Sequence, residues 1–70
     1  MTCPPAITLN GAPHPIEAPI ALDRLLVDLG LAGKSVVVEL NEHAIFPRDY
    51  PHTLVEAGAR LEIVTLAAGG

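Results

Sequence analysis

The group in this chain best suited to being chemically activated is the carboxylate of Gly70, at the end of LEIVTLAAGG. A carboxylate is a poor electrophile until one of its oxygens is made a leaving group, and adenylation by ATP does that. The site of such a reaction is closed, so the chain that delivers the carboxylate must be narrow. Gly69 and Gly70 carry no side chains and admit backbone angles closed to other residues. At about 3.3–3.6 Å per extended residue, positions 67–70 reach about 13–14 Å beyond Leu66. The competing reading is a frayed end, because small residues are common at mobile termini.

Other residue types fit chemistry less well. His14, His43 and His52 lack the i, i+4 spacing that aims two imidazoles at one metal, and all three read as surface residues. Cys3 is the sole cysteine, which excludes an internal disulfide and a multi-cysteine metal site and leaves an exposed thiol. No Ser, Cys or Lys has a recognisable activating partner, and no Gly-rich loop joins a strand to a helix to cradle phosphate. Asp23, Asp28, Glu17, Glu39, Glu42, Glu56 and Glu62 read as a solvated acidic face able to steer a basic partner.

Composition sets the same limits. Eight acidic residues against four basic ones give a net charge of −4, and no basic run is present to neutralise a phosphate backbone, so nucleic acid is not an expected partner. The apolar runs are far shorter than a membrane span and the start lacks a signal-peptide pattern, so the expectation is a cytoplasmic protein without membrane contact. With seventy residues the chain makes one domain, expected to be a monomer when free, that buries about 60% of the surface it would expose unfolded. Phe46 and Tyr50 are the only aromatics, so packing falls to Leu, Val, Ile and Ala.

The elements that must position the terminus follow from pattern. Ile7 to Leu9 read as a short strand, Asn10-Gly11 as a hairpin turn, and His14 to Ile16 as a return strand that Pro13 and Pro15 confine to an edge. Leu22, Leu25, Leu26 and Leu29 fall on one helical face. Gly30 ends that helix with Leu31 folding back on Leu26, while Ala21 is a weak start and Asp23 favours the dipole. Ser35 to Asn41 is β-branched and reads as an internal strand covered on much of both faces. Ala44 to Phe46 make a brief strand, PRDYPHT a loop, and Gly58 a turn. Arg60 to Leu66 form the last strand, with Leu61, Ile63 and Thr65 facing one way and Glu62, Val64 and Leu66 the other.

This order predicts an α+β protein of the β-grasp (ubiquitin-like) class: a small mixed sheet covered by one main helix, its first and last strands parallel at the centre. The expected division is an extension at 1–6, a body at 7–66 and a flexible tail at 67–70. Val64 and Leu66, exposed at the root of the tail, with Ala67 and Ala68, are the expected contacts to a partner.

From Ile7 to Gly70 the sequence resembles the ThiS family, sulfur carriers of thiamine (thiazole) biosynthesis. The likeness rests on LNG, LDRLLVDLGL, VVVELN, IFPRDY, LEIV and the final Gly-Gly. It implies no bound cofactor. A ThiF-type adenylating enzyme would use ATP to activate Gly70, and a cysteine desulfurase relay would supply sulfur. The terminal thiocarboxylate would donate that sulfur to thiazole synthase, ThiG. On this reading the chain is a co-substrate and not an enzyme. It departs from the family at Ala57-Gly58-Ala59, where Asp-Gly-Asp is usual, at Ala68, where a further glycine is frequent, and in the lead-in MTCPPA. The alternatives are a MoaD-like carrier of molybdopterin synthase, a ubiquitin-like modifier, and a plain β-grasp interaction domain. VTLAAGG lacks the prolines of the MoaD tail.

Overall fold

The computed structural model describes residues 5–66; Cys3 and the 67–70 segment lie outside them. Strand β1 (Ala6–Leu9) turns at Asn10 and Gly11 into β2 (Ala12–Pro15). A two-residue strand, β3 (Ile20–Ala21), leads into helix α1 (Leu22–Asp28). Then come β4 (Val36–Leu40), β5 (His43–Ile45), a 3-10 helix (Pro47–His52), β6 (Leu54–Val55) and β7 (Arg60–Thr65). Five strands form one sheet in the order β2-β1-β7-β4-β5, and β3 pairs with β6 in a second, two-stranded one. The β1–β7 pair is parallel and the other pairs are antiparallel. First and last strands therefore meet inside the sheet, as the element order predicts, and the β-grasp arrangement of a mixed sheet with one α-helix is present.

The helix forms where the leucines require. Leu22, Leu25 and Leu26 are buried, each removal from water contributing about 1.5–3 kcal/mol. They meet Ile7, Val38, Leu61 and Ile63 from the sheet and Val55 from the small one. Ala21 gives no side-chain cap, so the helix starts instead on a tertiary contact, the Leu22 N–H donating to the Thr53 carbonyl at 2.8 Å. Its end is a Schellman motif: the Gly30 N–H donates to Val27 at 3.0 Å and the Leu31 N–H to Leu26 at 2.8 Å. The positive φ of Gly30, 75°, is the geometry this motif needs.

Several expectations are corrected. β4 is covered on one face only: Val38 is buried, but Val37 and Glu39 are exposed, because the single helix covers one side of the sheet and nothing among the described residues covers the other. The PRDYPHT stretch is not a plain loop but a 3-10 helix, since Pro47 at its first positions supplies the required φ and loses no hydrogen bond. His14 is half-buried; it pairs with Ile7 on the β1–β2 ladder and so leans to the helix side. The β2 strand runs from Ala12 to Pro15, and β5 starts at His43. β7 ends at Thr65, and Thr65, although in phase with Leu61 and Ile63, is exposed.

Candidate functional site

Strand β7 carries the chain towards Gly70, and both of its flanks are fixed by asparagines. On the β1 side the ladder ends at Leu9↔Leu61, where β1 turns away into the hairpin. The Asn10 N–H still reaches the Leu61 carbonyl at 2.9 Å. One step further its side chain takes the place of a strand: the amide NH2 donates to the Ile63 carbonyl at 3.1 Å, and Oδ1 accepts from the Ile63 N–H at 2.7 Å. On the β4 side Asn41 grips the start of β7, its N–H donating to the Arg60 carbonyl at 2.8 Å and its Oδ1 accepting from the Arg60 N–H at 2.9 Å. Both asparagines have φ of 50°, the left-handed region that Asn tolerates better than most residues. The last described backbone bond on this path runs from the Leu66 N–H to the carbonyl of Ser35, just ahead of β4, at 2.8 Å, so the chain is held on that side up to Leu66.

Alternation along β7 sends Leu61 and Ile63 into the core and Arg60, Glu62 and Val64 to the outer face. Val64 is 59% exposed and Leu66 50%. Val64 stands opposite Val37, and Glu62 opposite Glu39. These residues, with Arg60 and Glu42, line a shallow groove on the uncovered side of the sheet. Arg60 lies 3.9 Å from Glu42. Ala67, Ala68, Gly69 and Gly70 lie outside the described residues.

Reading the sequence singled out Val64 and Leu66, and named Glu39 and Glu62 only within a general acidic face; it missed Val37 and the roles of Asn10 and Asn41. Val37 and Glu39 were legible as the odd positions of a strand once only one face is covered. The asparagines signalled turns, and their amides' partners on β7 are set by strand order.

Elsewhere the chemistry is sparse. Among the described residues no cluster of His, Cys, Asp or Glu could hold a metal. Among the described residues, a hollow bordered by His14, Ile16, Ile20, Arg24, Leu25 and Asp28 shares no residue with β7. The Tyr50 hydroxyl is buried without a partner among the described residues, and desolvation pushes its pKa above the usual value. Arg48 lies over the Phe46 ring, 5.6 Å from its centre.

Known proteins are similar to this chain in sequence and in fold. The ThiS family model matches residues 7–70. The sulfur carrier protein ThiS of Thermus thermophilus is 36% identical over 64 residues, covering 91% of this chain and 98% of that protein. A thiazole synthase of Magnetococcus marinus is also 36% identical over 64 residues, covering 91% of this chain but only 20% of its own length, so the chain spans about a fifth of that relative. The crystal structure of the thiamine biosynthesis protein ThiS of Geobacter metallireducens superposes with a TM-score of 0.79 at 28% identity, covering 93% of this chain and 99% of that one. With a family model running from Ile7 to the final glycine and a relative of matching length, the chain belongs to the ThiS family.

Proposed function

We propose that Gly70 is the working residue of this chain, and that its carboxylate is converted to a thiocarboxylate which passes sulfur to thiazole synthase in the cytoplasm. Members of the ThiS family are sulfur carriers for thiamine biosynthesis, and this chain is one of them, a co-substrate rather than an enzyme. The observation that carries the residue-level reading is the run of the family match through Gly70, reached from a strand held on its β1 side as far as Ile63 and on its β4 side as far as Leu66.

A carboxylate oxygen of Gly70 attacks the α-phosphorus of ATP in a ThiF-type adenylating enzyme, and pyrophosphate leaves. A sulfur nucleophile from a cysteine desulfurase relay then attacks the acyl carbon and expels AMP. Where that nucleophile is a persulfide, a thiol cleaves the resulting S–S bond and the thiocarboxylate remains. The chain's part is delivery. Gly69 and Gly70, behind Ala67 and Ala68, offer a narrow approach, and the exposed Val64 and Leu66 rest against the partner at the root of the approach. A thiazole synthase that contains a stretch similar to this whole body supports ThiG as the acceptor.

The test is ATP-pyrophosphate exchange with the adenylating enzyme, followed by intact mass after a sulfur source is added. The wild-type chain should support exchange and gain the mass of a thiocarboxylate. Deleting Gly70, or appending one residue after it, should abolish both while circular dichroism is unchanged. Exchange that survives the appended residue would refute the assignment.

A further inference from the structure

The outer face carries a charge arrangement that the fold does not use. Glu39 and Glu62 stand directly opposite each other on the β4–β7 ladder. Backbone bonds from Leu66 to Ser35 and from Asn41 to Arg60 set the phase of that ladder and make Glu39–Glu62 a hydrogen-bonded pair, with Cα atoms about 5.5 Å apart. Like charges so placed weaken a sheet. Arg60, the cation that shares the groove, lies 3.9 Å from Glu42, and neither Glu39 nor Glu62 has an ion-pair partner among the described residues. The next pair on this face, two steps along the ladder, is Val37↔Val64, both exposed. An anionic seat and an apolar strip therefore lie side by side in one groove, on the strand that leads to Leu66 and the tail.

We propose that this face receives a protein surface that lays apolar side chains on Val37, Val64 and Leu66 and sets one arginine or lysine between Glu39 and Glu62. Charge complementarity selects the cation, and the methylenes of such a side chain pack on the two valines while its head meets the carboxylates. Continuity with the tail root selects the partner: the adenylating enzyme that takes in the terminal residues must cover this face to hold the body still. The inference rests on the sulfur-carrier reading and deepens it by naming the recognition chemistry.

The experiment follows binding of the full chain to its adenylating enzyme by surface plasmon resonance between about 50 and about 500 mM NaCl, a range that shortens the screening length severalfold. Wild-type association should slow about tenfold or more across that range. The Glu39→Gln/Glu62→Gln double variant should associate about tenfold more slowly at low salt, with a nearly flat salt profile and a smaller change in dissociation. Its melting temperature should equal or exceed that of wild type, because a like-charge pair is relieved, which separates lost recognition from lost folding. The single variants, with intermediate rates expected, keep the test valid if the double variant misfolds. Wild-type rates and salt dependence in the variants would overturn the seat while acyl-adenylate formation still upheld the carrier. A wild-type chain that neither binds nor accepts AMP would overturn both.

Discussion

Asn10 makes the energetic link between the hairpin and the strand that carries the tail, and its replacement should be costly out of proportion to an exposed turn residue. Its amide makes two hydrogen bonds to the Ile63 backbone, at 2.7 and 3.1 Å. Each is worth about 0.5–1.5 kcal/mol net, so losing both costs about 2 kcal/mol. Its φ of 50° adds about 1 kcal/mol for a residue that resists the left-handed region. Asn10→Gly keeps the backbone unstrained and loses only the bonds, about 2 kcal/mol; Asn10→Ala loses both, about 3 kcal/mol. Asn10→Asp keeps the acceptor for the Ile63 N–H but turns an oxygen towards the Ile63 carbonyl, and should cost about 1–2 kcal/mol. In a domain this small each kcal/mol moves Tm by about 4–8 °C, so the glycine variant should melt about 8–16 °C lower and the alanine variant lower still. Urea titration and thermal melts give the order, and amide exchange at Ile63 gives the local signature, since its N–H should exchange faster in the glycine variant. A glycine variant within about 0.5 kcal/mol of wild type, or an alanine variant no worse than glycine, would refute the reasoning.

Leu25→Ala, at a position only 2% exposed, should cost about 2–5 kcal/mol in urea titration; a loss below about 1 kcal/mol would show that the core closes without this side chain. Val64→Ala removes the apolar contact on the outer face and adds no charge, so binding to the adenylating enzyme should weaken about fivefold or more in a calorimetric titration while the melt shifts little. Unchanged affinity would reject the outer face as the docking surface. Tyr50→Phe removes a buried hydroxyl with no partner among the described residues and should stabilise by about 1 kcal/mol or leave stability unchanged. Because desolvation raises the Tyr50 pKa above its usual 10.0, the unfolded chain releases this proton first, and wild-type stability should fall as pH rises from that value through the folded pKa. The phenylalanine variant should lack this component in alkaline melts, and identical pH profiles would reject the assignment.

The sequence by itself determined whatever depends on neighbours a few residues apart. Leucines at 22, 25 and 26, with Gly30 behind them, specify a helix, its buried face and its end. Asn10-Gly11 specifies a hairpin, and the alternation from Arg60 to Val64 fixes which side chains leave the core. The prolines of β2 mark an edge because they cannot donate to a ladder, and β2 is at the edge. The motifs carried by these same segments made the family legible. Tertiary structure decided what depends on distant partners. Two-residue strands such as Ile20–Ala21 and Leu54–Val55 are too short for any period and exist only because each pairs with the other. The apolar run of β4 suggested cover on both faces, yet one helix covers only one, which left Val37 exposed opposite Val64. The amides of Asn10 and Asn41 found Ile63 and Arg60, 53 and 19 residues away, because strand order set β7 between β1 and β4. The same ordering placed Glu39 against Glu62, a pairing that no local pattern encodes, since register between strands is fixed by the packing of their buried faces.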